Sequence, residues 1–183
     1  TRERDVNLQP IPYYLSKFCL LSVVSVMQTL VLFILVKQLT SLPGDSVAQL
    51  VGLLTLAIVG VSLGLAISTF ARTEDVAVTI VPLVLIPNIL LAGAFARLEG
   101  FTYFLARLGI SSYWARQFLV VTLPENLESL LHDGDLSLVV PWAVLCLHAG
   151  LLIVVALGRL VIGGRRDLVG HKARQQWLRA ARE

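Results

Sequence analysis

Few residues in this 183-residue chain could carry chemistry, and most of them are isolated from one another. His148, Asn88 and Gln28 each sit alone inside long apolar runs, while Glu125, Glu128, His132, Asp133 and Asp135 share one acidic stretch, 124–137. A histidine within an apolar run is a candidate functional group, although a neutral imidazole bonded to a neighbouring helix satisfies the same pattern. Asn88 fits either an interhelical hydrogen bond or the wall of a cavity. Gln28 lies beside Ser22, Ser25 and Thr29 at helical spacing, which marks a helix–helix interface or a side chain presented to a passing molecule. His132, Asp133 and Asp135 have metal-ligand chemistry, but Asp133-Gly134 is an ordinary turn signal, so no metal site is expected. Glu125, Glu128 and His132 are the only outward candidates for acid–base chemistry on lipids, and loop chemistry accounts for them. Phosphate loops, Cys/His ligand clusters and nucleophile elbows are absent, and no catalytic residue is assigned.

The elements around these residues belong in a bilayer. The chain is 56% hydrophobic and 15% charged, with mean hydropathy +0.80, which excludes an ordinary soluble domain. The expected fold is an all-α membrane protein. Four transmembrane helices fall at about 18–36, 47–71, 76–96 and 138–162, with a re-entrant helical hairpin at 101–123 on the outer side before the last span. Each hairpin arm is shorter than the about 20 residues that cross a hydrocarbon core, and backbone that stops at that depth must be shielded by protein or line a wet cavity. Gly60, Gly64 and Ser68 form a small-residue stripe suited to helix packing. Pro82 and Pro87 interrupt the third span. Cys19 and Cys146 lie in different apolar runs and are expected to act as plain apolar packing.

Segment 1–17 carries Arg2, Glu3 and Arg4, and Pro10 and Pro12 are expected to forbid a continuous helix there. Tyr13, Tyr14 and Lys17 suit an interfacial belt. Gly163-Gly164-Arg165-Arg166 is expected to stop the last span before a basic tail, 163–183. A chain that starts at Thr1 reads as a piece of a longer protein. With four spans, eleven of the 15 Lys and Arg residues gather on the side of the termini. The positive-inside rule therefore places both ends of a multi-pass protein in the cytoplasm, in a plasma or bacterial inner membrane.

What the runs omit is equally informative. Stretches 18–36, 47–71, 76–96 and 138–158 contain no Asp, Glu, Lys or Arg. Ion-coupled carriers and proton pumps need ionisable groups at depth. A cargo moved through this bundle must draw its energy from elsewhere and be apolar or amphipathic.

At this point an ordered set of segments resembles a known family. Arg2-Glu3-Arg4 with Tyr13-Tyr14-Leu15-Ser16-Lys17, Gly64 to Ser68 with Thr73-Glu74-Asp75, Pro87-Asn88 through Gly93-Ala94-Phe95, and the hairpin residues Leu105, Leu108, Ser112 and Phe118 occur in the order seen in one group of proteins. The chain resembles the C-terminal part of the membrane domain of a type-2 ABC exporter, especially the G-subfamily (white and pleiotropic-drug-resistance) half-transporters and their bacterial relatives. The resemblance implies a permease for a lipophilic or amphipathic substrate, exported by alternating access. It implies an ATP-binding domain, holding ATP and Mg2+, and two further spans upstream. It also implies a second membrane domain, as a homodimer, with the cavity between the two. Arg2, Glu3 and Arg4 would touch the ATPase domain, Ile86, Asn88 and Ile89 would lie at the substrate cavity, and Ala94 and Phe95 would occupy an outer valve. The sequence departs from the family where paired leucines would follow Gly93, in the offset of Arg116, and in having no cysteine in the loop before the last span. The competing expectation is a structural or assembly subunit that transports nothing and packs through Gly60, Gly64 and Ser68.

Overall fold

The computed structural model describes residues 10–40, 43–71, 73–93, 100–124 and 137–180, and side chains within these up to residue 161, Pro10 excepted. All regular structure among them is helical: α1 (Pro10–Leu39), α2 (Ser46–Phe70), α3 (Glu74–Leu90), α4 (Gly100–Gly109), α5 (Ser111–Val121) and α6 (Val139–Ala180). Three stretches, Ile11–Leu39, Ser46–Phe70 and Val139–Val161, are long and apolar enough to cross a membrane. These correspond to the first, second and last expected spans.

α2 is the hub, packing against α1, α3, α5 and α6. Asp45 caps it by accepting the Val47 amide at 3.0 Å, satisfying one of the amides that a helix start leaves unpaired. At the Phe70 end, Tyr14 of α1, Leu65 and Ala66 of α2 and Ala156 of α6 form one buried cluster, where Tyr14 stacks on Phe18 at 6.4 Å. The Arg159 guanidinium lies 5.5 Å above the Phe70 ring, an interfacial cation–π pair between α6 and α2.

Outward faces are apolar. Leu20 of α1, Leu147 and Val154 of α6 and Leu83 of α3 are all exposed. In water such a surface would be untenable; against acyl chains it is the expected solvent face.

Three expectations are revised. Pro10 and Pro12 do not prevent a helix: α1 begins at Pro10 and runs through both. In the first turn the amide that proline lacks has no helical acceptor to lose. The third helix starts before the apolar run 76–96 and stops short of its end, at Leu90. A turn through Gly93 at φ 75° follows, a conformation glycine adopts without strain. Its 17 residues span about 26 Å, against about 30 Å for a hydrocarbon core. Lastly, Gly163-Gly164 ends the apolar stretch but not the helix, since α6 continues to Ala180. Neighbouring residues with good helix propensity carry the backbone across two glycines, each of which costs about 1 kcal/mol.

Candidate functional site

The hairpin arms α4 and α5 are amphipathic, and α5 shows how. Tyr113, Trp114, Gln117 and Phe118 fall at helical spacing on one face, and all four are buried. Tyr113 and Trp114 meet edge to face at 5.6 Å, and Tyr103 of α4 meets Tyr113 in the same manner at 6.1 Å. The Trp114 indole N–H donates to the Arg107 carbonyl at 2.9 Å, tying one arm to the other across Gly109 and Ile110. This face joins Val59 of α2 and Leu145 and Ala149 of α6 in a single apolar cluster.

Two glycines let α5 approach α2. A Cβ at Gly52 would overlap the Phe118 ring, and one at Gly44 would overlap the Thr122 carbonyl. Gly44 also has φ 102°, a backbone region that side chains disfavour. The Asp45 backbone amide donates to Thr122 O at 3.2 Å, and the Gln49 side-chain Nε2 donates to Pro43 O at 2.9 Å. The turn before α2 is thereby clasped to the end of α5. From α6, the Trp142 indole N–H donates to Thr55 Oγ1 at 3.2 Å.

α3 is attached very differently. None of its residues is buried, and among the described elements it packs against α2 and α5. Ile86 and Ile89 are both exposed at 54%. Asn88 is half-buried, its Nδ2 donating to Val84 O at 3.3 Å. Ser112 Oγ donates to Asn88 Oδ1 at 3.5 Å, a long hydrogen bond but an interhelical one. Asn88 thus joins α3 to the hairpin, with Ile86 and Ile89 presented outward beside it.

The remaining sequence candidates divide. Arg2, Glu3, Arg4, Ala94 and Phe95, together with Glu125, Glu128, His132, Asp133 and Asp135, lie outside the described residues. Gly60, Gly64 and Ser68 are on an open face of α2, and a Cβ at either glycine would meet nothing within 4 Å. α2 packs instead through Gly52, Val59, Ser62, Leu65 and Ala66. Ser22, Ser25 and Thr29 are half-buried and Gln28 is exposed; Thr29 Oγ1 donates to Ser25 O within its own helix at 2.8 Å. His148 is half-buried, and its buried Nδ1 has no hydrogen-bond partner. Cys19 and Cys146 are free and exposed, facing outward rather than filling a core. No cluster of three metal-binding side chains occurs among the described residues.

Gln117 is a residue that sequence reasoning missed. It is 1% exposed, and neither its amide oxygen nor its nitrogen has a partner. The signal was available: Gln117 falls three and four residues after Trp114 and Tyr113, on the apolar face of an amphipathic helix. Gln49, Thr55 and Thr122 have no such signal, because their roles depend on which neighbours the fold brings up.

An apolar bundle of membrane-length helices, with a paired helical hairpin clasped to its hub, defines a multi-pass membrane protein. The model of the ABC-2 type transporter membrane domain matches residues 1–122. The chain belongs to that family and is a permease component of an ABC-type transporter. A comparison with curated proteins finds no match.

Proposed function

We propose that the chain is the permease part of an ATP-driven exporter that moves a lipophilic or amphipathic substrate by alternating access. α3 would act as the moving wall and the hairpin would lie as a re-entrant element on the outer side. The observation that carries this reading is α3 itself: a helix with two prolines, no buried residue and no charge beyond its first turn, held beside a well-packed hairpin. Such an element can tilt without dismantling a core. The family assignment and the absence of Asp, Glu, Lys and Arg from the apolar runs add support, since the energy source then lies in a partner ATPase domain binding ATP and Mg2+. In this scheme closure of the ATPase dimer pushes on Arg2, Glu3 and Arg4. The spans tilt, and Ile86, Asn88 and Ile89 pass from inward-facing to outward-facing, with Ala94 and Phe95 at the outer constriction. A second copy would complete the cavity.

The test is reconstitution of the full transporter, with its ATPase domain, in proteoliposomes. Candidate amphipathic cargo should stimulate ATP hydrolysis, and charge reversal at Glu3 or Arg4 should uncouple hydrolysis from cargo movement without unfolding the protein. Cargo movement that persists when hydrolysis is blocked would sink the proposal. The alternative, a subunit that only packs against partners through Gly60, Gly64 and Ser68, draws on the openness of that face. It predicts ATPase activity indifferent to every cargo.

A further inference from the structure

Where α2 and α6 begin, α2, α5 and α6 enclose a groove of about 280 Å3, with Asp45 on its rim. Its walls are Val47, Val51, Phe118, Leu138, Val139 and Trp142. The volume is close to the ~300 Å3 at which small-molecule sites begin. The walls are fixed by contacts already described, Phe118 by its seat over Gly52 and Trp142 by its hydrogen bond to Thr55. Val47 and Val139 are 70% and 66% exposed, so the groove opens sideways onto the apolar periphery of the bundle.

Among the described residues Asp45 is the one charged residue lining the groove. One carboxylate oxygen accepts the Val47 amide, and no Lys or Arg pairs with the carboxylate among the described residues. The site therefore combines an apolar slot, an indole of the kind found at membrane interfaces and an exposed anion at the mouth.

We propose that this groove holds an acyl chain of a phospholipid whose primary ammonium headgroup rests on Asp45. An ammonium N–H donates a charge-assisted hydrogen bond to the carboxylate. A choline headgroup carries the charge but no N–H, and a glycerol headgroup leaves the lipid phosphate facing Asp45 without a cation between them. This site is independent of whether the protein exports anything.

The substitution Asp45→Asn separates charge from fold, because asparagine caps a helix about as well as aspartate. The experiment uses the full-length protein purified in detergent and exposed to equal amounts of dioleoyl phosphatidylethanolamine, phosphatidylcholine and phosphatidylglycerol. Retained lipid is read by native mass spectrometry and stability by thermal unfolding. Phosphatidylethanolamine should be retained about fivefold over phosphatidylcholine, the ratio for one modest hydrogen bond, and by at least as much over phosphatidylglycerol. Asp45→Asn should abolish that preference while leaving the lipid-free unfolding temperature unchanged. Val51→Trp, or Val139→Trp from the opposite wall should the first not fold, should lower retention of all three lipids. Equal retention of the three by the wild type, as a groove filled by another part of the protein would give, overturns the proposal. A preference that survives Asp45→Asn does so as well, as does undiminished retention once the groove is filled.

Discussion

The hairpin arm α5 and the helix α3 both pack on α2, yet they are held by opposite means. α5 is anchored by large side chains: Tyr113, Trp114 and Phe118 are each less than 5% exposed, and Gly44 and Gly52 admit it into close contact. α3 buries no residue and is joined to α5 through one long Ser112–Asn88 hydrogen bond. Packing in a membrane relies on van der Waals contact between closely approaching surfaces, because lipid supplies no hydrophobic drive. A helix without such contacts has little to lose by moving. The difference separates a well-packed frame (α2, α5 and α6) from a lightly attached element, α3.

Phe118→Ala attacks the frame most directly. It should destabilise the protein by about 3 kcal/mol or more, the range for an aromatic truncated in a packed core, seen as a lower unfolding temperature in detergent. Next comes Gly44→Ala, where positive φ and the crowded Thr122 carbonyl combine to cost about 1–3 kcal/mol by the same measurement. Gln117→Met sharpens the comparison with the opposite sign. Removing an unpartnered buried amide should leave stability unchanged or raise it by about 1 kcal/mol, whereas a clear loss would mean that the amide is bonded in the working protein. Asn88→Ala should cost only about 0.6 kcal/mol. Ile86→Ala and Ile89→Ala should fall within about 0.5 kcal/mol of wild type while changing transport or cargo-stimulated ATPase activity. A large stability loss from either isoleucine substitution would place α3 in the frame after all.

Much of this division can be traced in the chain, but not all of it. Apolar length announces α1, α2 and α6, and the aromatic spacing of 113–118 announces the buried face of α5. Pro82 and Pro87 point to α3 as the unusual helix. The small-residue stripe shows what pattern alone leaves open, since within this chain its glycines face no neighbour among the described residues. Gly60, Gly64 and Ser68 have the right spacing for close packing, yet Gly52 is the α2 glycine against which a neighbour is seated. Spacing tells which residues share a face but not which face meets a neighbour, and that is settled by long-range contacts. Pro10 and Pro12 mislead for a local reason: a proline excludes helix from its interior but not from its first turn. Asn88 gains its meaning only from Ser112, 24 residues away.

The two prolines of α3 have one more consequence. Each lacks an amide hydrogen, so the carbonyl oxygens of Val78 and Leu83, four residues before Pro82 and Pro87, have no helical donor. They lie about 7.5 Å apart along the axis. The stretch from Val76 to Leu90, which has no ionised side chain, thus carries two backbone acceptors whose donors must come from outside the helix's own ladder.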